Sequence, residues 1–168
     1  MIEVLKVLNT AIDNEELLYQ IAMFIRIEIS NSKENTLFAT KLGLNQVIIS
    51  LLNCPSEKIQ LETIWTINNI IPNTPHKELI KFKLHITLLK ILEHATHKIK
   101  EHILLTIASL IEGSKEFKEE MLKKGITTYI EEIIDNKNNS IELLRACSMI
   151  LHNLFKKDPL PNEETVFF

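Results

Sequence analysis

A layout of apolar helical blocks returns about every forty residues, and this period constrains the chain more than any other feature of its sequence. The clearest unit runs from Lys41 to Ile71. Leu44, Val47, Ile48 and Leu51 recur there at steps of three and four residues, which is one face of a helix. A corner follows at Asn53 to Ser56, where the Ser56 hydroxyl is suited to cap the next helix. That helix carries Ile59, Leu61, Ile64, Trp65, Ile67, Ile70 and Ile71 and is apolar over more than half its circumference. Such a helix is buried between neighbours on two sides.

The layout returns in Leu84 to Gly113 and in Ile126 to Phe155, each a helix, a polar corner and a more apolar helix. Between them, Gly113 to Gly125 reads as a short polar helix stopped by a glycine. Gly43 to Lys83 spans 40 residues, Lys83 to Gly125 spans 42, and Ser109 to Asn153 spans 44. Counted backwards, Leu17 to Ser30 fits the buried last helix of a first unit and puts Arg26 where Asn69 stands, 43 residues later. The expectation is about three and a half stacked units, near 1–42, 43–82, 83–124 and 125–158, with Met1 to Thr10 as a starting helix. A tail at 159–168 follows, whose NEETVFF end either caps the last unit or docks on a partner. Each unit buries its faces mainly against its neighbours, so the two end faces need a cap or a partner.

Composition narrows the function classes. With 168 residues and 45% apolar content the chain can build a real core, and only three Gly and five Pro interrupt it. A net charge of −3 with mixed signs gives no basic face to track phosphates, so nucleic acid is not an expected partner. No apolar run approaches the roughly 18 residues of a membrane span, and MIEVLKVLNTAIDNEELL lacks the basic start and cleavage site of a secretory leader. Cys54 and Cys147 stand far apart without metal or redox spacing and read as small apolar residues in a reducing compartment, the cytoplasm or nucleus. His94, His97 and His102, with Glu93 and Glu101, could ligate zinc only if they converged. The corner between helices is expected just after His94 and His97, and no H-E-x-x-H occurs. Phosphate loop, dinucleotide fingerprint and G-x-S-x-G are also missing, so neither catalysis nor a cofactor nor a metal is expected.

Gln60 to Ile70, QLETIWTINNI, resembles the armadillo signature of the importin-α family, in which a Trp and an Asn four residues later lie on the inner helix of a repeat. Trp65 and Asn69 hold those places, behind Gln60 and Glu62. Leu144 to Pro161 is similar to the family segment in which an Arg precedes the Trp–Asn pair and a basic, Pro-containing corner follows; Arg145, Asn153, Lys156, Lys157, Pro159 and Pro161 match it. Met149 replaces the Trp there, and Leu105 and Ser109 replace both residues in the middle repeat.

The resemblance implies an all-α, right-handed superhelical armadillo/HEAT-like solenoid of about three to four repeats that binds protein and is not an enzyme. It further implies a concave groove holding an extended peptide, a nuclear localisation signal being one candidate, along Trp65, Asn69, Ser109, Met149 and Asn153. In such a groove Asn amides bond the peptide backbone, and Trp faces form slots for Lys or Arg stems. The family's basic importin-β-binding segment and later repeats have no counterpart in the sequence, so importin-β is not an expected partner. Arg26 would repel a basic peptide, and Glu112, Glu116, Glu119 and Glu120 are interleaved with Lys115, Lys118, Lys123 and Lys124, as on a solvated surface. Trp65 as a core aromatic, and the Asn pair as ordinary polar residues of the inner helices, are the alternatives. The opposing class is a structural scaffold subunit held permanently in a larger assembly.

Overall fold

A computed structural model describes residues 14–30 and 32–156. The expected starting helix at Met1 to Thr10 and the tail from 159 onward lie outside the described residues. Ten α-helices occur among them and no strand: α1 (Glu15–Ser30), α2 (Lys33–Lys41), α3 (Leu44–Leu52), α4 (Glu57–Ile70), α5 (His76–Lys81), α6 (Leu84–Leu92), α7 (His97–Gly113), α8 (Lys115–Lys123), α9 (Ile126–Asp135) and α10 (Ile141–Phe155). A single 3-10 turn, Ile71–Asn73, follows α4.

Four long helices, α1, α4, α7 and α10, stack side by side as one layer. Behind them α3, α6 and α9 pack on α4, α7 and α10 respectively, and the short helices α2, α5 and α8 open each three-helix step. The physical reason is visible in α4, where Ile59, Ile64, Ile67 and Ile70 are all fully buried. They point to more than one side of the helix, so α4 needs apolar neighbours on two flanks.

Side-chain caps fix where four of the helices begin. Ser32, Thr96, Ser114 and Ser140 are N-caps whose side-chain oxygens accept from the amides of Asn35, Ile99, Phe117 and Leu143. Ser56 departs from expectation: it precedes α4, but its hydroxyl makes no cap and donates instead to Glu15 Oε1 of the neighbouring long helix, at 2.8 Å. Thr96 adds an equivalent bond to Glu57 Oε1, also 2.8 Å, one step further along. A hydroxyl at the start of one long helix thus grips a carboxylate at the start of the previous one, twice over. Tyr129 ties the rear layer together in the same direction, its hydroxyl donating to the Leu92 carbonyl at 3.0 Å.

The corner between the short helix and the rear helix has one geometry in all three steps. Gly43, Lys83 and Gly125 occupy it with φ of 95°, 55° and 76°. Glycine takes this left-handed region freely, whereas an L side chain there costs about 1–2 kcal/mol. Lys83→Gly is therefore expected to stabilise the fold by about 0.5–1 kcal/mol after the added freedom of the unfolded chain is subtracted. Thermal or urea unfolding of the two proteins checks it.

The junction between the second and third steps is built on Phe117, which is fully buried. The rings of His76 and His85 meet it edge-on, with centroids at 6.1 and 5.8 Å. Gly113 ends α7 directly under His76, whose Nε2 lies 2.5 Å from where a β-carbon would stand. Neither His76 Nε2 nor His85 Nδ1 has a hydrogen-bond partner. Burial pushes the His85 imidazole below its ordinary value of 6.5, opposed by Glu120 and reinforced by Lys124. The unfolded chain therefore takes up this proton first as pH falls. Stability is full above about pH 6.5 and is lost on acidification through His85's lowered folded value. Melting curves between about pH 8 and pH 5 are expected to fall more steeply for the wild type than for His85→Gln.

Candidate functional site

Stacking on both flanks leaves the interior long helices α4 and α7 one free strip each, and on α4 that strip carries Trp65 and Asn69. Trp65 is 38% exposed, although its helix is otherwise packed with buried aliphatic side chains. Arg26 crosses from α1 with its guanidinium carbon 5.6 Å from the centre of the Trp65 ring. Its Nε donates to Glu62 Oε2, one turn before Trp65 on α4. The Glu62 side chain keeps 8% of its surface exposed and that of Arg26 30%. From the opposite side His102 of α7 meets the indole edge-on, centroids 6.0 Å apart at 88°. Arg26, Trp65 and His102 thus form a row across three consecutive long helices.

The row continues toward α10. Ser109 is exposed on α7 and its hydroxyl donates back to the Leu105 carbonyl at 3.2 Å. Asn153 of α10 sends its amide nitrogen to the carbonyl of Ala108, the neighbour of Ser109, at 2.9 Å. Met149 is 48% exposed, one turn before Asn153. The five residues singled out in the sequence therefore lie on α4, α7 and α10, which pack in that order. Asn69 is half-buried. Asn153 is different, since part of its donor capacity holds two helices together.

The fold matches solved structures over most of the chain. A designed armadillo repeat protein in complex with the peptide (KR)4 aligns with a TM-score of 0.77 at 21% identity, covering 91% of this chain and 63% of that one. A second designed armadillo repeat protein aligns at 0.76 and 18%, again over 91% and 63%. The fold is an armadillo-repeat solenoid. An engineered protein aligns at 0.75 and 16% identity, over 91% of this chain and 61% of its own. This chain thus spans about three-fifths of the length of these structures. No protein-family model and no curated protein matches the sequence.

In this solenoid Trp65, Ser109 and Asn153 lie on successive members of the long-helix layer. The histidines do not form a centre on it. His94 sits in the corner after α6 with its side chain 85% exposed. His97 opens α7 on the far side of that corner, so the corner separates the two instead of following both. His102 is not a corner residue at all but lies in α7 against Trp65. Among the described residues no three His, Cys, Asp or Glu side chains converge as a metal site. In the acidic cluster, Glu120 is held below the usual carboxylate range by its hydrogen bond to Lys123 at 3.0 Å. Glu116 is lowered by its own backbone amide and by Ser114. Both carboxylates are already partnered within α8.

In the sequence Arg26 is a lone repelling charge and Glu62 part of a signature; the structure bonds the two. The sequence signal is the i, i+3 spacing of Glu62 and Trp65, which puts both on one helical face; the 43-residue offset places Arg26 opposite Asn69 and does not aim it at either. Replacing Arg26 leaves a largely buried carboxylate without its partner. Arg26→Ala is expected to cost about 1–3 kcal/mol and to shift the emission of Trp65, the single tryptophan in the chain. Denaturant unfolding followed by fluorescence measures both.

Proposed function

We propose that this chain is a non-enzymatic binding module which holds an extended polypeptide along the open strip of its long helices. The observation that carries the reading is the alignment of Trp65, Asn69, Ser109, Met149 and Asn153 on three consecutively packed helices of an armadillo solenoid. An amide side chain offers both a donor and an acceptor, so a row of them can pair with successive peptide groups without reading side chains. One of the similar structures is named as holding the peptide (KR)4, which supports a peptide as the class of partner. In this respect the module is importin-α-like: main-chain capture by inner-helix asparagines, with side-chain selection left to the spaces between them. Work inside the cell, in the cytoplasm or nucleus, fits this role, and no helix among the described residues is long and apolar enough to cross a membrane.

Selection from a random-peptide display library tests the reading. Asn69→Ala is expected to weaken the selected peptides by about threefold to tenfold, the worth of one net hydrogen bond, with little change in melting temperature. Asn153→Ala is expected to weaken binding and also to cost about 1 kcal/mol of stability through the lost bond to Ala108. Peptides indifferent to both substitutions, or no selected peptide at all, would end the proposal.

A permanent scaffold role has one observation in its favour. Phe24 and Phe38, 56% and 65% exposed, flank a largely apolar cleft of about 230 Å³ between α1 and α2. On the scaffold reading, Phe38→Asp disrupts assembly and leaves peptide capture intact.

A further inference from the structure

The Trp65 slot already contains a cation. Its floor is an indole face, its wall is the Glu62 carboxylate, and the guanidinium of Arg26 lies over the first and is bonded to the second. An aromatic face beside a carboxylate is the arrangement that receives a Lys or Arg side chain from a partner. Arg26 arrives from the neighbouring helix and supplies that side chain from within the chain. We infer that Arg26 is a built-in occupant of a cation-binding slot, and that it makes the groove refuse Lys and Arg at the Trp65 step.

Four features keep the occupant in place. Glu62 is too far buried to serve a solvated ligand unless Arg26 leaves, because its side chain keeps only 8% of its surface. His102 packs against the indole from α7, so that flank of Trp65 is already occupied. An incoming cation would also have to desolvate next to Arg26, and like charges at such a distance repel. Effective concentration favours the resident as well, since Arg26 is tethered one helix away and a peptide side chain is not.

The consequence for the partner rests on the peptide-groove reading; the occupancy of the slot does not. At the Trp65 step, the partner segment presents a residue that is not cationic. Net groove charge also follows, since the Glu62 carboxylate is neutralised internally by Arg26. The (KR)4 peptide named with the similar designed protein is on this account the wrong ligand for this chain and the right probe for the slot once it is emptied.

Trp65 is the single tryptophan, so its emission reports on the slot alone. In the wild type, ethylguanidinium and an alternating Lys–Arg octapeptide are expected to leave that emission unchanged. In Arg26→Ala, ethylguanidinium is expected to move the emission and melting temperature back toward wild-type values, and uncharged urea at the same concentration is not. The octapeptide is expected to bind Arg26→Ala at least about tenfold more tightly than wild type, a step of 1.4 kcal/mol. Adding Glu62→Gln removes both gains. Arg26→Gln, which keeps a donor for Glu62, serves should the alanine variant not fold, with the same direction expected. A saturable Trp65 response of the wild type to the octapeptide overturns the inference, and that measurement needs no variant. Equal response of Arg26→Ala and Arg26→Ala/Glu62→Gln to ethylguanidinium also overturns it. Ethylguanidinium rescue without octapeptide binding upholds the occupied slot and counts against the peptide groove instead.

Discussion

Side-by-side burial of the four long helices is the constraint on which everything else in this protein depends. An interior member such as α4 or α7 gives its isoleucines and leucines to both neighbours. Each fully buried aliphatic side chain contributes on the order of 1.5–3 kcal/mol. A helix used twice in this way has only a narrow strip left for polar chemistry. The candidate groove is that remainder, repeated once per step, and its contents are limited to what a strip of i, i+4 positions can carry.

Polar contacts then refine the stack without driving it. The hydroxyl-to-carboxylate bonds from Ser56 to Glu15 and from Thr96 to Glu57 set how one long helix starts relative to the next. Asn153 does the same work near the other end by bonding the Ala108 carbonyl. Arg26 binds α1 to α4 from inside the groove itself. Structure and recognition therefore share side chains. A substitution at Arg26 or Asn153 changes both, whereas Asn69 offers the cleaner probe of binding.

Much of the fold was legible from the sequence, because its determinants are local. The spacing of Gly43, Lys83 and Gly125 marked the length of each step, and the structure puts the same left-handed corner at all three. The strip residues Trp65, Asn69, Ser109, Met149 and Asn153 come from the family resemblance; helical period only puts the members of one helix on one face. What period cannot supply is the axial offset between neighbouring helices. That offset decides that Arg26 reaches the Trp65 ring, that His102 leaves the corner group to lie against the same indole, and that Ser56 turns from capping its own helix to bonding Glu15. Cys147 shows the opposite case: a small buried residue in an apolar helix, its thiol pushed up to about 11 by burial, as an inert core position should be.

The three steps look alike in outline but are not interchangeable parts. Three residues after its capping serine, α8 carries Phe117, clasped by two imidazoles; at the same place after Ser32, α2 carries Asn35, exposed and bonded to the Glu28 carbonyl. Copying the last step behind the first would push a phenylalanine toward a surface with no histidines to receive it, and the reverse graft would bury an amide among rings. The order of the steps is thus written into their joints, so this array resists lengthening or shuffling by simple duplication.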